Sequence, residues 1–256
     1  MVGKTAVLSH VLRDAMARHG CAGRIAILDS SGSTNYATLA RKIDCYAGSI
    51  REWTIGPGTL IGILAPRSAK AVAAFFGAIQ AGACPSFIEP RLAVDVLAAR
   101  MSAIGMRHLI VEHPVREVLT SLSRHGAYLH PLAELENGRP FCDENLRPED
   151  SAMILFTSGS SGQPKGVLLS QSNLACNADG IIRHTDIGPD DCLLHVMPLH
   201  HTNGVNNQLI APFLVGARVA LIDRFRPEKI VEQLHNYTPT YVTGVPTMYS
   251  RVLPHL

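Results

Sequence analysis

Aromatic residues are scarce: 5% of the 256-residue chain, with a single Trp. Excess charge of one sign is missing too, since 23 Lys and Arg face 21 Asp and Glu for a formal net charge of +2. With no run of five basic residues, no global field points to nucleic acid or an anionic membrane as partner. The 21 Gly and 16 Pro follow no three-residue period, which excludes a collagen-like chain. Six cysteines (Cys21, Cys45, Cys84, Cys142, Cys176 and Cys192) contain no C-x-x-C pair. They read as reduced thiols of a cytosolic, cytoplasmic protein rather than as a disulfide frame. His108, His113, His125 and His130 show no metal-ligand spacing, so no metal site is expected within the chain. No secretory signal is expected at the N-terminus, because Arg13 and Asp14 interrupt the apolar stretch. The uncharged run Ala71 to Ile88 contains Gln80, Gly82 and Pro85. It suits a buried helix leading into a buried strand better than a membrane span.

What is present is an apolar fraction of 46%, ample for a sizeable core in one large α/β domain or two modest ones. Val7, Leu8, Val11, Leu12, Ala15 and Met16 share a helical face that Gly20 would stop. A strand over 24–29 and a turn over 30–33 follow, then a helix marked by Leu39, Ile43, Ala47 and Ile50, with Thr34 or Asn35 to cap it. Strands are predicted over 60–65, 84–88, 109–111, 153–157, 192–197, 217–222 and near 241–243. Helices are predicted from Ser68 to about Gly82 and over 94–104, 205–214 and 227–237, with Pro227 in a first turn. The polar stretch 131–150 reads as a surface connection. Such alternation predicts layered, largely parallel β-sheets flanked by helices.

The residues most loaded with chemistry are Thr157-Ser158-Gly159-Ser160-Ser161-Gly162-Gln163-Pro164-Lys165-Gly166. Glycines let the backbone turn tightly and bring N–H groups close to an anion. Four hydroxyls in the first five positions add donors for phosphate oxygens. Lys165 adds a full charge, a gross attraction of about 4 kcal/mol at ~4 Å for an effective dielectric near 20. A nucleotide triphosphate is the natural ligand of such an array. The string is not a Walker loop, since Pro164 precedes Lys165, Gly166 follows it, and Val167-Leu168-Leu169 reads as extended rather than helical. The spacing of Gly159-Ser160-Ser161-Gly162 also misses the hydrolase elbow. The loop is therefore expected to join two strands. The plain alternative is a Gly/Ser turn with a solvated lysine.

This string resembles the signature loop of adenylate-forming enzymes, the family of acyl-CoA synthetases, aryl-CoA ligases, luciferases and nonribosomal adenylation domains. Ser161 stands where the family usually has threonine, which keeps the hydroxyl. Asn35 to Leu39, Gly56-Pro57-Gly58 with Pro66, and Ala81-Gly82-Ala83 are similar to further family segments. Met197 to Gly204 is similar to the P-x-F-H-x-x-G motif of acyl- and aryl-CoA ligases, with His200 replacing the aromatic and His201 on the motif histidine. Val245-Pro246-Thr247 matches a segment that opens a helix along the acyl pocket.

The resemblance implies the large N-terminal domain of such an enzyme over 1–256, in part. Two half-reactions follow from it: a carboxylic acid attacks the α-phosphate of ATP, and a thiol then takes the acyl group. Coenzyme A or the phosphopantetheine of an acyl carrier protein would be that thiol. Thr157, Ser158, Gly159, Ser160, Ser161, Gly162 and Lys165 would hold the β- and γ-phosphates, with Lys165 and His201 closest to the chemistry. His201 would stand where acyl pocket and thiol tunnel meet, the alternative being an ordinary packing histidine. Amino-acid-activating members of the family usually place an aspartate in this region, and none lies between Met197 and Gly204, so the resemblance favours an acyl or aryl acid over an α-amino acid. The family's Y-G-x-T-E motif, whose glutamate helps hold Mg2+, and its mobile C-terminal domain are not found in the sequence. Two classes therefore stand: an acid–thiol ligase component completed by a complementary C-terminal polypeptide, or a non-catalytic nucleotide-binding fragment. A nonribosomal-type adenylation component is a variant of the first.

Overall fold

The computed structural model describes residues 5–53, 55–112, 116–158 and 164–255. Helix α1 (Leu8–Cys21) buries Leu8, Leu12, Ala15 and Met16, the face predicted from their spacing. Strand β1 (Ile25–Asp29) turns back at once as β2 (Gly32–Asn35), so half of the turn-like segment 30–33 is strand. The Asp29 carboxylate sharpens that reversal by accepting the Ser31 N–H at 2.9 Å. Of the two candidate caps for α2 (Tyr36–Arg51), Asn35 serves, its side chain accepting the Thr38 N–H at 2.8 Å. Next come β3 (Leu60–Leu64), α3 (Ala69–Gln80) and β4 (Cys84–Phe87). Ser68 caps α3 through the Ala71 N–H at 3.2 Å. The uncharged run 71–88 is thus a buried helix and a buried strand. Among the described residues no helix is long and apolar enough to cross a membrane.

α4 (Val94–Ala103), β5 (His108–Val111), α5 (Arg116–Arg124) and β6 (Tyr128–Pro131) complete the first half. The connection after β6 is less superficial than its polar composition suggests. A 3-10 turn over Leu132–Asn137 buries Leu132 and Leu135. The buried Gln80 amide then donates to the Phe141 carbonyl at 2.7 Å and to Asp44 at 2.6 Å, tying the segment to the helices. The second half runs β7 (Ser151–Ser158), β8 (Pro164–Ser170), α6 (Gln171–Thr185) and β9 (Cys192–His195). A π-helical stretch, Asn203–Ile210, flows into α7 (Ala211–Val215), followed by β10 (Arg218–Leu221). After a 3-10 turn at Pro227–Lys229 come α8 (Ile230–Tyr237), β11 (Tyr241–Val242) and α9 (Pro246–Val252), which Pro246 opens.

These strands form a five-stranded sheet in the order β11-β9-β10-β1-β2, a four-stranded sheet β4-β3-β5-β6 and the pair β7-β8. The four-stranded sheet is wholly parallel, and the five-stranded one is parallel except for the β1–β2 hairpin. The layered, largely parallel α/β architecture predicted from the alternation is therefore the observed one. Its centre is α3, which packs on β3 and β4 of one sheet, on β1 of the other, and on α2. Every residue from Ala71 to Gln80 is buried there. Phe75 stacks on Phe87 at 4.8 Å, and Phe76 meets Phe213 edge-on at 5.9 Å. Burying one such ring contributes about 2–3 kcal/mol.

Candidate active site

The loop-bearing segment is an antiparallel hairpin, as expected of a loop joining two strands. In its register Thr157 lies opposite Lys165 and Ser158 opposite Pro164, with Val167 to Leu169 extended. Thr157 and Ser158 therefore end β7, and Lys165 is exposed at the start of β8. Gly159, Ser160, Ser161 and Gly162 lie outside the described residues. An ammonium one strand across from Thr157, at the loop end of a hairpin, suits the anionic tail of a nucleotide.

A second element approaches the same place. Downstream of β9 the chain runs through Met197-Pro198-Leu199-His200-His201 into the π-helical stretch. His201 and Gly204 close this segment on itself: the His201 N–H donates to the Pro198 carbonyl at 3.2 Å, and the Gly204 N–H to the His201 carbonyl at 3.0 Å. Gly204 is required, because a Cβ there would run into the Pro198 carbonyl and the Leu199 backbone.

Two buried polar side chains that composition and spacing did not single out hold the segment from beneath. His195, fully buried, donates from Nε2 to the Gly204 carbonyl at 2.8 Å. Its Nδ1 accepts from the Arg67 guanidinium, which also donates to the His195 carbonyl at 2.9 Å. This arrangement defines the Nε2–H tautomer. Burial, and then the charge of Arg67, push the His195 pKa well below its usual value, so the ring is neutral at pH 7. Burial also lowers the Arg67 pKa to about 10, with Asp223 opposing, which leaves the guanidinium charged. Gln208 accepts the N–H groups of Val196 and Met197 at 3.0 and 2.9 Å and donates to the Thr243 carbonyl at 2.7 Å. One amide thus fixes the end of β9 against the strand leading to Val245-Pro246-Thr247. A polar residue inside an apolar run, such as His195 after Cys192-Leu193-Leu194, is the one signal that could have flagged them.

Hairpin and motif segment border one cavity of about 260 Å³. Phe87, Ile88, Leu97 and Phe156 supply apolar walls, and Glu89, Arg100, His200 and His201 the polar ones. Phe156 is the residue before Thr157, so the cavity brings the stem of the hydroxyl-rich loop and the motif histidine together. The rings of His200 and His201 stand 4.5 Å apart at 49°. His200 titrates below its usual value, first from burial and then from His201 and Arg67, against the opposing pull of Glu89. A roomier, open groove of about 880 Å³, lined by Asn177, His184, Asn207 and Tyr241 among others, includes neither Lys165 nor the motif histidines.

The family model of the AMP-binding enzyme matches residues 12–256, and the chain belongs to that family. Its fold is that of the N-terminal domain of adenylate-forming enzymes. Among curated proteins it is 28% identical over 232 residues to a feruloyl-CoA synthase of Amycolatopsis sp, covering 90% of this chain and 47% of that protein. It is also 28% identical over 255 residues to the mitochondrial malonate–CoA ligase ACSF3 of Bos taurus, covering 91% of this chain and 42% of that one. The chain thus spans about half the length of the curated relatives it matches. Among solved structures, a long-chain-fatty-acid-CoA ligase from Archaeoglobus fulgidus superposes with a TM-score of 0.89 at 22% identity. That superposition covers 99% of this chain and 54% of the ligase. ATP-bound MatB from Rhodopseudomonas palustris gives a TM-score of 0.80 at 22% identity, over 94% of this chain and 51% of MatB.

Proposed function

We propose that this chain is the phosphate-gripping part of an AMP-forming acid–thiol ligase, in which a carboxylic acid is activated on ATP and handed to coenzyme A. The observation that carries the reading is the shared cavity wall: Phe156, at the stem of the loop, and His201, on the ligase motif, face one hollow. Membership in the AMP-binding family and the CoA-ligase names of its relatives support it. Lys165 and the loop hydroxyls would neutralise and align the β- and γ-phosphates, so that the α-phosphorus is presented to the acid. The carboxylate oxygen forms the new bond to that phosphorus, and pyrophosphate leaves with the electron pair of the broken bond. The cavity would shelter the activated acyl group, with His201 at its edge where the thiol arrives. The Mg2+-holding glutamate and the mobile domain would come from the part of the fold beyond the half that this chain spans.

Carboxylate-dependent exchange of pyrophosphate into ATP tests this reading. Residues 1–256 alone should exchange little, and addition of a polypeptide carrying the later family motifs should restore exchange. Absence of restored exchange, with nucleotide binding intact, would favour a non-catalytic nucleotide-binding module.

A further inference from the structure

His10 on α1 and Cys142 and Glu144 ahead of β7 lie far apart in the chain and meet in space. One donor atom from each, an imidazole nitrogen, a thiol sulphur and a carboxylate oxygen, all fall within 4.8 Å of one another. The backbone beneath them is fixed by other bonds. Gln80 donates to the Phe141 carbonyl at 2.7 Å, and its own carbonyl accepts the Asp143 N–H at 3.1 Å. On the helix side, the Ser9 N–H donates to the buried Gln171 side chain at 3.1 Å. The His10 ring is itself held by Nε2 against the Asp143 carbonyl at 3.1 Å. A supporting bond of that kind orients metal-binding imidazoles.

We propose that His10, Cys142 and Glu144 form a Zn2+ site, with water as fourth ligand, that staples α1 to the segment entering β7. The donor set selects the metal. A thiolate, an imidazole and one carboxylate suit a borderline-soft, tetrahedral ion, whereas Ca2+ and Mg2+ require shells of oxygen. Zinc bonds of about 2.0–2.3 Å place tetrahedral ligands roughly 3.3–3.8 Å from one another. The observed spacing therefore closes by side-chain rotation of about 1 Å, with Cys142 and His10 half-buried and Glu144 exposed on a loop. Arg13 is the resident competitor. Its Nη1 stands 2.6 Å from Glu144 Oε1, but the pair is solvated, with side-chain exposures of 48% and 69%, and such pairs hold weakly. On loading, Glu144 leaves Arg13 for the ion. The Cys142 S–H bond breaks, its proton passing to solvent and its electron pair to zinc.

The site shares no residue with the cavity beside His201, and it stands whether or not the ligase reading does. The test uses the whole chain, stripped with a chelator and titrated with Co2+, then with Zn2+ in competition. A thiolate-to-cobalt absorption band should saturate at one equivalent, Zn2+ should displace it, and Zn2+ should raise Tm by mass action. Cys142→Ser should abolish the band. His10→Ala and the exposed Glu144→Gln should each weaken Co2+ binding about tenfold or more. Cys176→Ser, at an exposed thiol elsewhere, should leave it unchanged. A band that fails to saturate, that survives Cys142→Ser, that is indifferent to both His10→Ala and Glu144→Gln, or that disappears with Cys176→Ser overturns the proposal.

Discussion

The β7–β8 hairpin and the segment from His195 to Gln208 wall the same cavity but are built in opposite ways. The hairpin is a two-stranded sheet with Lys165, Val167 and Leu168 exposed. The segment surfaces at His201 but is buried at both ends, and its geometry depends on His195 and Gln208, polar groups with no exposed surface at all. The difference separates two tasks. Residues that meet a charged ligand need solvent access and tolerate loss of their heads. Residues that hold the wall satisfy backbone groups that have no water to fall back on, so their loss leaves buried donors unpaired.

Three substitutions sharpen this contrast, in falling order of effect. Gln208→Leu strands the N–H groups of Val196 and Met197 and the Thr243 carbonyl. It should cost about 3 kcal/mol or more, at 1–3 kcal/mol for each unpaired buried group, read as a lower urea midpoint. Lys165→Ala should leave that midpoint within about 0.5 kcal/mol. By calorimetry it should weaken ATP or pyrophosphate ten- to hundredfold, about 1.4–2.8 kcal/mol. Equal destabilisation by both variants would erase the division between grip and scaffold, and unchanged ATP affinity would take Lys165 out of the site.

The smallest effect is on pH dependence. His195 is neutral when folded, and its unfolded pKa is near 6.5. Below that value the unfolded chain gains a proton that the folded chain refuses, so stability falls as pH falls. His19, His108, His200 and His130, the last lowered to about 4, act in the same direction, each chiefly through burial. Stability should therefore drop between pH 7 and pH 5. His195→Asn should flatten the curve by about 1 kcal/mol between pH 6.5 and 5.5, within the limit of 1.36 kcal/mol per pH unit. An unaltered slope, followed by thermal unfolding, would mean that His195 is solvated after all.

Much of this architecture was legible because apolar periodicity and cap residues agree locally: Asn35 and Ser68 start their helices where the composition placed them. α6 was not predicted, although Ser170 and Asn173 cap it reciprocally, because its apolar face, built around Leu174, Ala175 and Ala178, is small. β2 is a polar edge strand, Gly-Ser-Thr-Asn, whose pairing with β1 has no hydrophobic signature. The predicted helix over 205–214 is π-helical in its first half, a widening that no spacing rule anticipated. At the proposed site, Lys165 and His201 could be picked out by motif, since their neighbours in sequence carry the signal. Arg67, His195 and Gln208 could not, because each acts on a partner brought from elsewhere in the chain or on the backbone. The same holds for His10, separated from Cys142 and Glu144 by most of the first half of the molecule.

Because β8 is a strand, the lysine's position obeys a parity. Lys165, Val167 and Leu169 alternate with Gly166 and Leu168 along the strand, and successive side chains point to opposite sides. Adding or deleting one residue between Lys165 and Ser170 would turn the ammonium to the opposite side, while an even change would preserve its aim. Indels among relatives of this protein should accordingly be absent from that short stretch or come in twos.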